Sequence, residues 1–239
     1  MKVVAKYKSS HQILGLAEVF NKVCDTAFWE LNKICPFDMC EEQRPQILLI
    51  HQSDLTDEIE DACEKYNIAI FDVGQYNGID ILRFKGQTTE KFKCDVSYFH
   101  TSDIKENTVE EAMRLYQKGF RIKIFGPVPI HSPLYCSHIF PASVGSLLAS
   151  ARVFVGENYL NAYLKGRIGL LGDSSEFTTE EALNMGALEK EGLTKTKLEY
   201  LWDNTYFSRA IEIIQSVDEK SNLINNLKEL LKIEKTYYE

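Results

Sequence analysis

Three short apolar runs in the second half of the chain constrain its fold more than any other feature. They are DVSYFH (95–100), RIKIF (121–125) and RVFVG (152–156), and each is followed by small, turn-forming or polar residues. Helix-like segments lie between them, over Val109–Lys118 and Ser143–Ala151. Alternating strands and helices are typical of a parallel α/β sheet, in which ligands bind beyond the carboxyl ends of the strands. The pattern therefore predicts a parallel sheet and the edge at which a ligand would bind.

The first half of the chain repeats this alternation. Lys2–Tyr7 is a strand candidate, and Ile47–Ile50 is the continuous branched run expected of a strand covered on both faces. Apolar spacing predicts helices over His11–Cys24 and Asp57–Tyr66, and a further strand over Ile68–Phe71. Two Rossmann-like halves that face each other across a cleft are the arrangement expected from this order.

The predicted fold is therefore α/β, with two small Rossmann-like domains and a helical segment at the carboxyl terminus. The first, acceptor-side domain is expected over residues 1–90, because the most loop-like segment falls near residues 85–93. The second is expected over residues 91–217. A helix over residues 218–239 carries an apolar stripe suited to docking on the body of the protein.

Composition and charge narrow the class of protein. With 44% hydrophobic and 26% charged residues, the chain has the composition of an ordinary globular protein. A formal net charge of −8 argues against sequence-independent binding to nucleic acid. The chain has no apolar run of the roughly 20 residues that a spanning helix needs. It also lacks a signal-peptide pattern at its amino terminus, so we predict a cytoplasmic protein without a membrane span.

Several common site motifs are missing. There is no G-x-G-x-x-G after the first strand, no Walker A sequence, no G-x-S-x-G and no H-E-x-x-H. Their absence argues against an NAD enzyme and an ATPase. The six cysteines are scattered, with no second close pair to complete a zinc set, so no metal site is predicted.

Polar residues at the strand ends of the first half are the candidates for catalysis. His51 follows Ile47–Ile50, and a histidine at this position could accept a proton from a hydroxyl nucleophile. His11 is a second candidate base. Asp72 is a third, although an aspartate after a strand is also common as a turn cap. The acceptor-side candidates are Ser9, Ser10 and Gln52, although the two serines could simply cap the next helix.

Polar and small residues at the strand ends of the second half are the candidates for binding a nucleotide. They are His100, Thr101, Ser102, Gly126, Pro127, Asn158, Asn161, Tyr163, Lys165 and Arg167, in a stretch that also contains Glu157. The guanidinium of Arg167 could neutralise a diphosphate leaving group, a task that otherwise needs a metal. The alternative is that Gly126-Pro127 is only a tight turn and that Lys165 and Arg167 lie on a solvated helix face.

The segments DVSYFHTS (95–102), GFRIKIFGP (119–127) and LLASARVFVGENYLNAYLKGRIGLL (147–171) resemble the donor-binding half of GT-B glycosyltransferases. The likeness is closer to the branch that includes spore-maturation CgeB-like proteins and some phage-encoded transferases. Tyr163 and Arg167 match the Tyr-x-x-x-Arg segment of that branch.

The resemblance implies a metal-independent glycosyltransferase. It would move a sugar from a nucleotide sugar, such as a UDP-sugar, held by the second half to a hydroxyl acceptor presented by the first. HQILGLAEVF (11–20) resembles the first helix of the acceptor domain. The nucleotide sugar would be a substrate, with no further cofactor. The acceptor would be a small molecule or a modified base in DNA.

One departure from the family keeps a second function open. Asn161 stands where the second glutamate of the E-x7-E pattern of many retaining members is expected. The alternative is therefore a non-catalytic protein that senses or sequesters a nucleotide or nucleoside. The protein could be a monomer or a homodimer, the latter through the helix predicted over residues 218–239.

Overall fold

The computed structural model describes residues 1–6, 11–29, 44–76, 78–82, 85–101, 105–126, 132–140, 143–172 and 175–238. Within them, nine β-strands and nine α-helices follow one another along the chain: β1 (Lys2–Lys6), α1 (His11–Phe20), β2 (Asp25–Trp29), β3 (Ile47–Ile50), α2 (Asp57–Tyr66), β4 (Ala69–Asp72), β5 (Cys94–Phe99), α3 (Glu106–Gln117), β6 (Ile122–Phe125), β7 (Tyr135–Ser137), α4 (Val144–Ser150), β8 (Ala151–Gly156), α5 (Tyr159–Tyr163), β9 (Ile168–Leu170), α6 (Thr179–Asn184), α7 (Ala187–Asp203), α8 (Tyr206–Val217) and α9 (Asn222–Tyr238). The strands form two parallel sheets, which confirms the predicted Rossmann-like α/β class.

The chain divides into two compact units. Unit 1 comprises Met1–Ile79 together with Asp203–Glu239, and unit 2 comprises Asp80–Trp202. This division differs from the predicted one, because α8 and α9 belong with the first half of the sequence. Gly15 of α1 lies so close to the ring of Tyr206 in α8 that a Cβ at Gly15 would overlap with it. The absence of a side chain at residue 15 therefore allows α8 to pack on α1.

Unit 1 contains a four-stranded parallel sheet in the order β2-β1-β3-β4. All four residues of β3 are fully buried, as its branched sequence predicts. On one face, Leu48 and Ile50 pack against Ile59 and Cys63 of α2. This strand order places the ends of β1 and β3 side by side at the carboxyl edge of the sheet.

Unit 2 contains a five-stranded parallel sheet in the order β7-β6-β5-β8-β9. Alternate residues of the strands contribute to two apolar clusters. The first includes Val96 and Tyr98 of β5 and packs against α3 and α6. The second includes Phe99 and Phe154 and packs against α4 and α5. Helices therefore cover both faces, as in a doubly wound fold.

No helix within the described ranges is both long and apolar enough to cross a membrane.

Candidate functional site

The strand order of unit 2 defines a topological switch point between β5 and β8. The chain runs outward from β5 through β6 to β7 and then returns to β8 on the other side of β5. The helices that follow the two strands therefore lie on opposite faces, with α3 in one apolar cluster and α5 in the other. A crevice forms at such a point, beyond the carboxyl ends of the strands, and it is the usual ligand position in doubly wound sheets.

Two side chains connect the loops at this switch point. Thr101 follows β5 and donates a hydrogen bond from its Oγ1 to Oε2 of Glu157, which follows β8. The close approach of the two strands depends on Gly156, because a Cβ there would overlap with the carbonyl oxygen of Phe99. The crevice therefore presents a carboxylate and a hydroxyl side by side, and both groups are exposed to solvent.

His100 directly follows β5, at the same edge of the sheet. Its Nε2 is buried and has no hydrogen-bond partner among the described residues. Burial lowers the pKa of His100 below its ordinary value, and Lys105 adds to this effect while Glu157 opposes it. The imidazole is therefore predominantly neutral at neutral pH, and can donate or accept a hydrogen bond.

Asn158 and Asn161 follow β8 on the other side of the crevice. Asn158 is the N-cap residue of α5, but its side chain makes no capping hydrogen bond. Asn161 is only 5% exposed, and its Oδ1 has no partner among the described residues. Buried polar atoms are normally hydrogen-bonded, so an unsatisfied amide oxygen next to a switch point is a feature to be explained.

The strand ends next to β5 and the start of α3 complete this edge. Gly126 follows β6 and is buried, and its carbonyl oxygen accepts a hydrogen bond of 3.0 Å from the hydroxyl of Tyr135. Lys105 is the N-cap residue of the 12-residue helix α3 and makes no side-chain capping bond. The first turn of a helix presents backbone N–H groups and a partial positive charge, which favour an anion.

Tyr163 does not lie in the crevice. It is 2% exposed, and its hydroxyl donates a hydrogen bond of 3.0 Å to the carbonyl oxygen of Gly169 in β9. Burial raises the pKa of Tyr163 to about 12. The ring also borders a cavity of about 80 Å³ at the end of β9, together with Tyr159 and Ser175. Tyr163 therefore joins α5 to β9 within the core.

Lys165 and Arg167 lie at the opposite, amino edge of the same sheet. Arg167 immediately precedes β9, and the pairing of Val153 with Ile168 places it beside Arg152 at the start of β8. Its Nε donates to the carbonyl oxygen of Ala149 at 3.2 Å. Lys165 lies in the same turn, and its Nζ donates to the carbonyl oxygen of Gly86 at 2.9 Å. The structure therefore does not bring these two cations together with His100, Thr101 and Asn158.

The carboxyl edge of unit 1 contains the predicted catalytic residues of the first half. His51 and Gln52 follow β3, and Asp72 ends β4. Oδ1 of Asp72 accepts backbone N–H groups from Gln52 at 3.1 Å and from Gly74 at 3.0 Å. This carboxylate therefore acts as the turn cap that the sequence left as the alternative, and ties the end of β4 to the end of β3.

Lys6 is a residue of this edge that sequence reasoning missed. It ends β1, is largely buried, and donates from Nζ to the carbonyl oxygen of Asp54 at 2.9 Å. Among the other predicted residues, Ser9, Ser10, Ser102 and Pro127 lie outside the described residues, as does the side chain of His11.

Glu157 is the main residue of the unit 2 crevice that was not assigned a role from sequence. The sequence places it in a polar stretch, but its contact with Thr101 depends on β8 returning beside β5. The strand order, which the sequence does not reveal, is what brings Glu157 next to Thr101. In the described parts of the chain, no group of three or more His, Cys, Asp or Glu side chains could hold a metal ion.

Comparisons with known proteins do not assign the chain to a family. It matches no protein-family model and no curated protein. Among solved structures, it is similar to D-lactate dehydrogenase from Escherichia coli, with 12% identity and a TM-score of 0.24, over 85% of this chain and 96% of that one. It is also similar to a D-isomer specific 2-hydroxyacid dehydrogenase from Lactobacillus delbrueckii ssp. bulgaricus in its NAD complex, with 10% identity and a TM-score of 0.19, over 65% of this chain and 62% of that one. At these TM-scores neither similarity bears on function.

Proposed function

We propose that the protein is a metal-independent glycosyltransferase of GT-B type that holds a nucleotide sugar at the carboxyl edge of unit 2. The observation that carries this proposal is the polar crevice at the β5/β8 switch point. There, Thr101 is bonded to Glu157, and the buried Nε2 of His100 has no partner among the described residues. The resemblance of residues 95–171 to a donor-binding half supplies the reaction class.

The chemistry of the crevice suits a nucleotide. An ionised carboxylate accepts hydrogen bonds from vicinal hydroxyl groups, and an acidic residue in a Rossmann-type site commonly binds a ribose in this way. Glu157 would take this role. The first turn of α3 follows the β5 loop and would face the diphosphate, with Lys105 as a nearby cation. Lys165 and Arg167 are not part of this arrangement, because they lie at the other edge of the sheet.

In the proposed reaction, the bond between the sugar and the nucleotide diphosphate breaks and a bond to the acceptor oxygen forms. The acceptor hydroxyl loses its proton to a base, for which His51 and His11 remain the candidates in unit 1. Asp72 is less suited, because one of its carboxylate oxygens already accepts two backbone N–H groups.

Calorimetric titration with UDP, GDP and their sugar conjugates tests donor binding. Glu157→Gln removes a charge-assisted hydrogen bond and should weaken the binding of whichever nucleotide is recognised by about tenfold or more. Glu110→Gln is the matched control, because Glu110 is an exposed residue of α3. Absence of binding to every nucleotide, or equal effects of the two substitutions, would reject the proposed site.

A non-catalytic nucleotide-binding protein is the second candidate, and Asn161 favours it. This residue is buried and lacks the carboxylate that the resemblance leads one to expect at its position. Chromatographic detection of released UDP or GDP in the presence of a panel of hydroxyl acceptors separates the two candidates. Binding without release of the nucleotide would support the sensing or sequestering role.

DNA as an acceptor requires a separate measurement. Binding that tracks the phosphate backbone weakens steeply as salt concentration rises. Fluorescence anisotropy with a labelled duplex between about 50 and 200 mM salt covers the informative range. Given the net charge of −8, we expect no binding, and a steep salt-dependent signal would instead identify DNA as the acceptor.

A further inference from the structure

A group of cations lies at the amino edge of the unit 2 sheet, on the opposite side from the crevice. Arg121 precedes β6, Arg152 is the second residue of β8, Arg167 precedes β9, and Lys190 is in the first turn of α7. Asp95, near the start of β5, is the carboxylate that contacts this group. It lies 3.3 Å from Nε of Arg121 and 3.5 Å from Nη1 of Arg152. Its negative charge is therefore already shared between two guanidinium groups.

Arg152 and Arg167 are held side by side by the backbone. The pairing of Val153 with Ile168 makes them neighbours on adjacent parallel strands. Nη2 of Arg152 donates to the carbonyl oxygen of Leu183 at 3.2 Å, and Nε of Arg167 donates to that of Ala149 at 3.2 Å. These contacts fix the direction of both side chains, and the carbonyl oxygens carry no formal charge, so Arg152 has only the carboxylate of Asp95, which it shares with Arg121. The terminal amino groups of Arg167 make no hydrogen bond to any described residue.

Lys190 adds a third positive charge to this pair. Its side chain is half-buried, and its ammonium has no hydrogen bond or ion pair within the described residues. Burial lowers the pKa of Lys190, and the charges of Arg167 and then Arg152 lower it further. No carboxylate among the described residues contributes an opposing effect. Positive charges near a partly buried ammonium repel it, and a bound anion would relieve this repulsion.

We propose that Arg152, Arg167 and Lys190 form a binding site for a phosphate group, either as free phosphate or diphosphate or as part of a small phosphorylated molecule. Guanidinium groups match the oxygens of phosphate in a bidentate geometry, and an ammonium adds a compact point charge. The three cations come from β8, from the turn before β9 and from the first turn of α7, and a doubly charged tetrahedral anion could accept hydrogen bonds from all three. The site is independent of the crevice between β5 and β8, and of the reaction proposed there.

The test uses inorganic phosphate and pyrophosphate as probes. Melting temperature and calorimetric affinity are measured for the full chain, with chloride at the same ionic strength as the reference. The wild-type protein should melt at a higher temperature in phosphate or pyrophosphate than in chloride. Lys190→Gln should reduce the affinity for either probe about tenfold or more. Lys195→Gln, the same change at an exposed position of α7, should leave the affinity unchanged.

Two further measurements separate this site from a purely structural role and from the crevice. Without phosphate, Lys190→Gln should not lower the melting temperature, because it removes a repelling charge. His100→Asn, at the carboxyl edge, should keep the full response to phosphate. An equal response of the wild-type protein to phosphate and chloride, or a full phosphate response in Lys190→Gln, would overturn the proposal.

Discussion

Replacement of Tyr163 by phenylalanine tests whether this residue serves the core or the ligand. The resemblance to the glycosyltransferase branch predicts that Tyr163 binds the donor. The structure instead shows a side chain that is 2% exposed and donates its hydroxyl to the carbonyl oxygen of Gly169. Because burial raises its pKa to about 12, this hydroxyl is protonated and remains a donor throughout the neutral pH range.

The expected loss can be worked out from this single contact. Phenylalanine keeps the ring, so the substitution creates no large cavity, and its main effect is the lost hydrogen bond. Such a bond contributes about 1 kcal/mol net, and about 1–3 kcal/mol is lost when a buried partner is left unsatisfied. We therefore expect Tyr163→Phe to lower the free energy of unfolding by about 1–2 kcal/mol.

Urea unfolding followed by circular dichroism measures this loss. With a denaturant slope of about 2 kcal/mol per molar urea, the midpoint should fall by about 0.5–1 M without a change in slope. Tyr116→Phe is the matched control, because Tyr116 is 53% exposed, and its midpoint should not move. Affinity for any nucleotide that the wild-type protein binds should be the same in both variants. An unchanged midpoint combined with weakened nucleotide binding would refute the reasoning and return Tyr163 to the ligand site.

Four more predictions each concern a single residue. Gly156→Ala should cost about 3 kcal/mol, because the added Cβ overlaps with the carbonyl oxygen of Phe99. Gly192→Ala, at an open position of α7, should instead stabilise by about 0.5–1 kcal/mol in the same urea assay. The lowered pKa of His100 means that the unfolded state takes up a proton first, so stability should fall below about pH 6.5 and level off below the folded pKa. His100→Asn should flatten this step in a series of melting curves across pH. Burial by itself would raise the pKa of Asp95, but hydrogen bonds and charges from two arginines hold it below its usual value. Its stabilisation should therefore be complete above about pH 4 and be lost as the pH falls through the folded pKa, and Asp95→Asn should remove this acid-side slope.

The fold class could be predicted because each main strand has a recognisable sequence pattern. Ile47–Ile50 is branched and apolar throughout, and such a run is stable only where both faces are covered. The order of the strands in the sheet, in contrast, cannot be predicted from the sequence of any single strand. Whether β8 returns next to β5 or extends the sheet beyond β7 depends on which faces the helices cover, and therefore on packing between segments far apart in sequence. The sequence alone therefore does not assign a role to Glu157.

The placement of Arg167 could have been predicted from the sequence by a simple geometric argument. In a parallel sheet every strand runs in the same direction, so a residue directly before a strand lies at the amino edge. Arg167 precedes the apolar run that became β9, whereas Glu157 and Asn158 follow β8. A match to a Tyr-x-x-x-Arg pattern does not change the edge of the sheet at which Arg167 lies. The spacing of four residues takes the chain from Tyr163, at the end of α5, through a turn at Gly166 with φ of 62° and into the start of β9.

The distribution of charge gives the two proposals a common physical basis. Unit 1 contains twelve lysines and arginines against twenty aspartates and glutamates, so the whole net charge of −8 belongs to it. Unit 2 contains fifteen of each and is neutral. Charges in solution are screened over about 8–10 Å at physiological salt, so a ligand responds mainly to the unit that it contacts. The argument from net charge against a phosphate-bearing ligand therefore applies to unit 1, where it disfavours a polyanionic acceptor. It does not apply to either edge of the unit 2 sheet, where a nucleotide diphosphate and a phosphate group are proposed to bind.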